Sequence, residues 1–108
     1  MFNQVLVNVY EYTEQPDSLG LGIVKTFTEL KNVKGYFDYI SGSDKFIQDK
    51  FKNDTTHIFI VLGKKEELNT EQYIHFEGNF YQILLVDYPV QAKQTEVLLK
   101  FLGDELDG

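Results

Sequence analysis

A chain of 108 residues that is 43% hydrophobic and 25% charged has room for one domain built on a single core. Its formal net charge of -7, from 17 acidic against 10 basic residues, argues against a nucleic-acid reader that works by neutralising phosphates. The lack of cysteine excludes disulfides and thiolate chemistry, and it leaves the redox compartment open.

The first residues, Met1-Phe2-Asn3-Gln4, carry no basic run before a short apolar stretch, and no apolar run approaches the length of a membrane span. Neither a signal peptide nor a membrane partner is expected. Aromatic residues are plentiful, with 9 Phe, 7 Tyr and no Trp, and together with Val and Ile they favour pleated surfaces.

Val5, Val7 and Val9 alternate with Leu6, Asn8 and Tyr10, which predicts a strand over residues 4–12. Residues 13–22 hold Pro16, Asp17, Gly20 and Gly22 and read as a loop, whose Leu19 and Leu21 either tuck inward or meet a partner. Residues 23–30 form a weaker strand pattern around Val24, Thr26, Phe27 and Thr28. Residues 32–40 form another, with Val33, Phe37 and Tyr39 on one side. Gly35 inside that pattern suggests a bulge or sharp bend. Ser41-Gly42-Ser43-Asp44 breaks the strand, and residues 45–54 fit either a short helix capped by Asp44 or a loop.

His57 to Leu62 is a further strand, and residues 63–70, with Lys64, Lys65, Glu66 and Glu67, read as a solvated turn. A hairpin follows over residues 73–86. Gly78-Asn79 as its two-residue turn sets Phe76 against Tyr81 and Ile74 against Ile83. A slip of one residue would bury Glu77 and His75, so the faces are strongly specified. The second hairpin strand is apolar on both faces, with Tyr81, Ile83 and Leu85 on one and Phe80, Leu84 and Val86 on the other. It must be covered by the C-terminal segment or by another chain. Pro89 ends it. Residues 91–102 are ambiguous: Val97, Leu98, Phe101 and Leu102 make a helical stripe closed by Gly103, while Val97, Leu99 and Phe101 share one face of a strand. Local propensity leans to helix.

The short strands and polar turns predict a mainly β fold, a small antiparallel β-barrel or sandwich of about six strands with one irregular loop or short helix at about 43–54. The expected organisation is one barrel domain over 1–103 and a short acidic tail over 104–108.

No catalytic constellation is apparent. There is no Gly-x-Ser-x-Gly and no Cys. His57 and His75 sit inside strand patterns without metal-ligand spacing, and both read as satisfied or surface histidines. Asp38, Asp44 and Asp54 read as turn residues, and the glycines make no phosphate cradle. No catalytic, metal or cofactor residue is therefore expected, and the chain does not read as an enzyme. The positive signal is surplus hydrophobicity. Phe46, Ile47 and Phe51, beside Asp44, Lys45 and Lys50, put apolar bulk on a segment that otherwise looks like a loop. Such bulk marks an interface or plugs one end of a barrel.

Several blocks carry a family resemblance. Residues 35–44 (Gly-Tyr-Phe-Asp-Tyr-Ile-Ser-Gly-Ser-Asp), 56–60 (Thr-His-Ile-Phe-Ile), 78–83 (Gly-Asn-Phe-Tyr-Gln-Ile) running into Val86-Asp87-Tyr88-Pro89, and 96–100 (Glu-Val-Leu-Leu-Lys) follow one another in order. In that order they resemble the head-closure, or stopper, proteins of siphophage necks, over about residues 32–102. The family often has a second Asp where Tyr88 stands, so the match is imperfect there.

The resemblance implies a small β-barrel that joins a ring beneath the portal and its adaptor, retains packaged DNA and docks the tail. It implies portal-adaptor and tail proteins as partners, self-association in the ring, and DNA passing nearby without specific binding. It implies a virion location at the neck after assembly in the host cytoplasm. The segment carrying Asp44, Lys45, Phe46, Ile47, Lys50 and Phe51 becomes the candidate interface or channel loop. The matching C-terminal block is a strand, which implies strand over 95–102 against local propensity. The competing readings are a tail-end (tail completion) component and a small peptide- or ligand-binding β-barrel with an aromatic pocket.

Overall fold

A computed structural model describes residues 3–40, 54–91 and 93–106. Six strands follow in chain order: β1 (Val5–Pro16), β2 (Ile23–Tyr39), β3 (His57–Leu62), β4 (Gln72–Phe76), β5 (Asn79–Asp87) and β6 (Gln94–Gly103). All pairings are antiparallel, and the sheet closes on itself in the order β1-β2-β3-β6-β5-β4. The described residues form no helix. The mainly β expectation is met as a closed ring of six strands.

The alternation seen in β1 places Val7 and Val9 inward, where they meet Val33, Phe59, Val61, Ile74, Tyr81, Ile83, Val97 and Leu99. Burying each such side chain contributes roughly 1.5–3 kcal/mol. Polar satisfaction supplements this packing. Thr95, fully buried, donates from Oγ1 to the carbonyl of Lys64 at 3.0 Å and accepts from the Glu66 N–H at 2.7 Å.

The ring departs from the sequence-based expectations at four places. First, residues 23–30 and 32–40 are one 17-residue strand, because no turn residue interrupts them. The irregularity falls at Leu30, which has no opposite number where Val9 pairs Lys31 and Tyr10 pairs Glu29. Gly35 is not the bulge. It pairs regularly with Val5, and a Cβ there would lie 2.4 Å from the Ile60 carbonyl and 2.8 Å from the Phe59 ring. Its lack of a side chain lets β2 lie against β3.

Second, β1 runs on to Pro16, so the predicted loop over 13–22 shrinks to the turn over 17–22. Leu19 and Leu21 do not tuck inward, being 77% and 84% exposed.

Third, the hairpin turns at Glu77-Gly78, both with positive φ (50° and 81°), and Phe76 pairs Asn79. A I′ turn takes its glycine at the second central position, and that requirement overrides Gly78-Asn79 as the bend. The register moves by two residues, so the side chains from Tyr73 to Ile83 keep their faces.

Fourth, Leu84 is bulged: Ile83 pairs Leu99 but Leu85 pairs Leu98. Inward pointing therefore passes from Ile83 to Val86, not to Leu85 as strict alternation predicts. The C-terminal segment is a strand, as the family blocks imply and the helical stripe does not. Its Leu98 is buried on the outer face, between Ile58 and Leu85.

The strands of the ring do not all end together. β4 pairs β1 only from Asn8 to Glu11, and β3 pairs β2 only from Tyr36 to Tyr39. Residues 12–16 and 23–27 thus continue as a two-stranded arm. Tyr12 stacks on Phe27 at 4.9 Å and Phe27 meets Tyr73 at 5.8 Å, bracing the arm at its root.

Candidate functional site

The predicted interface residues Asp44, Lys45, Phe46, Ile47, Lys50 and Phe51 lie outside the described residues. The frame on either side of that segment is described. The Ile40 N–H donates to the Thr56 carbonyl at 2.9 Å, and the Thr56 N–H donates to the Leu99 carbonyl at 2.8 Å. The Phe101 N–H donates to Thr56 Oγ1 at 2.7 Å, and His57 Nδ1 lies 2.8 Å from the same oxygen. Ile40 is therefore held beside Thr56, and Thr56 against β6.

An aromatic cluster forms the floor of this frame. The His57 ring lies 5.4 Å from Phe37, 5.4 Å from Tyr39 and 4.9 Å from Tyr81, centroid to centroid. Burial among these rings lowers the His57 pKa from its ordinary value, and the Asp38 carboxylate opposes the shift in part. Burial likewise raises the Tyr81 hydroxyl, aided by the charge of Glu77. Asp38 accepts from the Tyr39 N–H at 2.8 Å, while Asp54 lies 3.7 Å from Lys100. These two carboxylates therefore serve separate local contacts. His75 is on the outer face, 4.4 Å from Phe80 and 5.8 Å from Tyr10. Among the described residues no group of three or more metal-ligating side chains converges.

Two grooves on the outside of the ring escaped sequence reasoning. One, of about 620 Å³, is lined by Tyr36, Ile58, Ile60, Leu62 and Gln94. The signal was present in β3, a nearly continuous apolar run. With Phe59 and Val61 inward, Ile58, Ile60 and Leu62 must face out. The second, of about 520 Å³, adjoins it at Gln94 and is lined by Lys64, Lys65, Tyr88, Pro89, Val90 and Lys93.

The connection over 63–70 is thus more than a solvated turn. Leu68 joins the core, and the Tyr88 hydroxyl donates to the Glu66 carbonyl at 2.8 Å. Glu66 meets Lys31 at 2.9 Å and Lys64 at 3.0 Å. Burial works against its ionisation, yet the hydrogen bonds from Lys31 and Lys64 outweigh it and hold the carboxyl below its ordinary pKa. Lys65 Nζ lies 4.7 Å above the Tyr88 ring. What these surfaces offer is contact area with fixed walls.

Compared with protein-family models and with curated proteins, the chain matches none.

Proposed function

We infer that this chain is a structural component of a phage neck, which assembles as a ring under the portal and adaptor, closes the DNA-filled head and docks the tail. The observation that carries the reading is β6. The family-like block around Glu96-Val97-Leu98-Leu99-Lys100 is a strand between β3 and β5, where the local pattern leans to helix.

The rest is consistent with assembly. The interior is filled by Phe59, Ile74, Ile83 and Leu99, which favours docking on outer surfaces over an internal ligand. The net charge of -7 lets DNA pass with little adhesion, because a negative surface gains nothing from counterion release.

The test is electron microscopy of particles from a phage lacking this gene. Emptied or leaking heads beside complete, separate tails are expected. Filled heads with defective tails would move the protein to the tail end. Normal virions would overturn the neck reading and leave the peptide- or ligand-binding barrel.

A further inference from the structure

The arm is an unusual thing to leave in solvent. A two-stranded ribbon is marginal by itself, and a third strand or a packed face is needed to hold it. Among the described residues, β1 beyond Glu11 has β2 on one side and no pairing on the other, and β2 has no pairing to β3 before Tyr36.

The tip is nevertheless built with care. The Asp17 N–H donates to the Gly22 carbonyl and the Gly20 N–H to the Asp17 carbonyl, both at 3.0 Å. Asp17 Oδ1 accepts from the N–H groups of Leu19 at 3.1 Å and Leu21 at 2.9 Å. Gly20 takes a positive φ of 71°. These constraints hold Leu19, Leu21 and Ile23 outward as an apolar tip. The arm, residues 12–27, carries Glu14 and Asp17 against Lys25, a net of -1, and Glu11 and Glu29 stand at its root.

The second outer groove is the complement. Among the described residues its lining includes Lys64, Lys65 and Lys93 and no carboxylate, in a chain of net charge -7. Between the lysines stand Pro89 and Val90, the latter 88% exposed. Its walls are fixed by backbone bonds: the Lys93 N–H donates to the Pro89 carbonyl at 3.1 Å and the Gly63 N–H to the Lys93 carbonyl at 3.0 Å. Lys93 holds a positive φ of 50°, a conformation uncommon for a residue other than glycine.

The two features lie on opposite sides of one end of the ring. The arm rises from β1 and β2. The groove lies where β5 passes into β6 and β3 ends, with β4 between it and β1 on one side and β3, next to β2, forming its rim on the other. An arm directed away from its own ring points toward a neighbour.

We propose that the arm of one copy docks, tip first, in the lysine-lined groove of a second copy of this chain, a head-to-tail contact. Unlike surfaces meeting in this way generate rings when the rotation closes. The contact deepens the ring reading above and rests on it for its biological setting.

The test uses the full chain, purified alone, with sedimentation velocity and concentration-dependent amide shifts followed up to about 1 mM, where a contact of millimolar affinity is half formed. Wild type should self-associate, and more weakly as salt is raised, since exposed charges are screened. Leu19→Ser/Leu21→Ser in the arm and Lys65→Glu/Lys93→Glu in the groove should each reduce association at least about tenfold, a large but ordinary effect for residues central to an interface. Mixed together, the two variants should form a one-to-one dimer that grows no further, because one retains a groove and the other an arm. Lys64 is left in place because it pairs with Glu66. If the lysine variant does not fold, Val90→Asp takes its role.

A wild type that stays monomeric at the highest concentration overturns the proposal. So does association lost in the arm variant and kept in the groove variant, which would mean arm against arm. Neither result touches the neck reading, which is judged on particles. Conversely, normal virions from the deletion would leave the arm–groove contact standing as a self-association surface.

Discussion

The ring and the arm share two strands and differ in what surrounds them. Over Val5–Val9 and Val33–Phe37, β1 and β2 carry side chains packed against β3, β4, β5 and β6. Over residues 12–16 and 23–27 the same two strands pair only with each other among the described residues, with Phe27 touching Tyr73 at the root. Apolar residues occur in both parts, yet Val7 and Val9 are fully buried while Leu19, Leu21 and Ile23 face solvent. Alternation alone therefore says that a strand exists. Whether its apolar side chains stabilise this molecule or wait for another depends on neighbours far away in the chain. Ring substitutions should act on folding, and arm substitutions on association.

The strongest test of that division is Phe59→Ala. Phe59 is fully buried beside Gly35 and Phe37, and removing it should cost about 3–5 kcal/mol in chemical denaturation. A loss below about 1 kcal/mol, the scale of surface changes, would mean that the ring is not the stability-determining unit.

Thr95→Val comes next. It keeps the shape and leaves the Glu66 N–H and the Lys64 carbonyl without their partner, for an expected loss of about 1–3 kcal/mol. A neutral result would show that the connection over 63–70 is not tied to the ring by this residue.

Acid should weaken the ring in two stages. His57 has a folded pKa below its ordinary 6.5, so the unfolded chain binds the proton first and stability falls as pH drops below that value. Glu66, also held low, contributes stability above its ordinary 4.5 that is lost as pH falls toward its folded value. Denaturation midpoints across pH should lose the upper stage in His57→Gln and the lower in Glu66→Gln. An unchanged profile in either variant would remove that residue from the account.

The smallest effect is expected in the arm. Leu19→Ser and Leu21→Ser should each move monomer stability by no more than about 0.5 kcal/mol. A larger loss would show that arm and ring fold as one unit and would erase the distinction.

Much of this architecture was legible in the residues. The valines of β1, the inward Phe59 and Val61, and the faces of the β4–β5 hairpin all follow from period two. The hairpin register differs from the expected one by two residues and leaves the faces of residues 73–83 unchanged, because an even shift preserves parity, whereas the bulge at Leu84 turns Val86 inward in place of Leu85. The bulges at Leu30 and Leu84 were not legible. Each is an extra residue that one strand accommodates so that the sheet can curl and close, and nothing in the local pattern identifies which residue yields. Both grooves were missed for a related reason, since they join β2, β3, β5 and β6 at places brought together only by closure.

By itself, then, the sequence determined that this chain is built of strands, which faces of most of them are apolar, and that its charge is acidic, because these follow from neighbours one to four residues apart. The tertiary structure decided three things: that residues 94–103 are strand rather than helix, that Gly35 is needed for close approach rather than for a bend, and that the arm runs beyond the strand pairing of the ring. Each depends on long-range partners. β6 is a strand because β3 and β5 both present it an edge, and the arm outruns the ring because the pairing of β3 and β4 stops short of it.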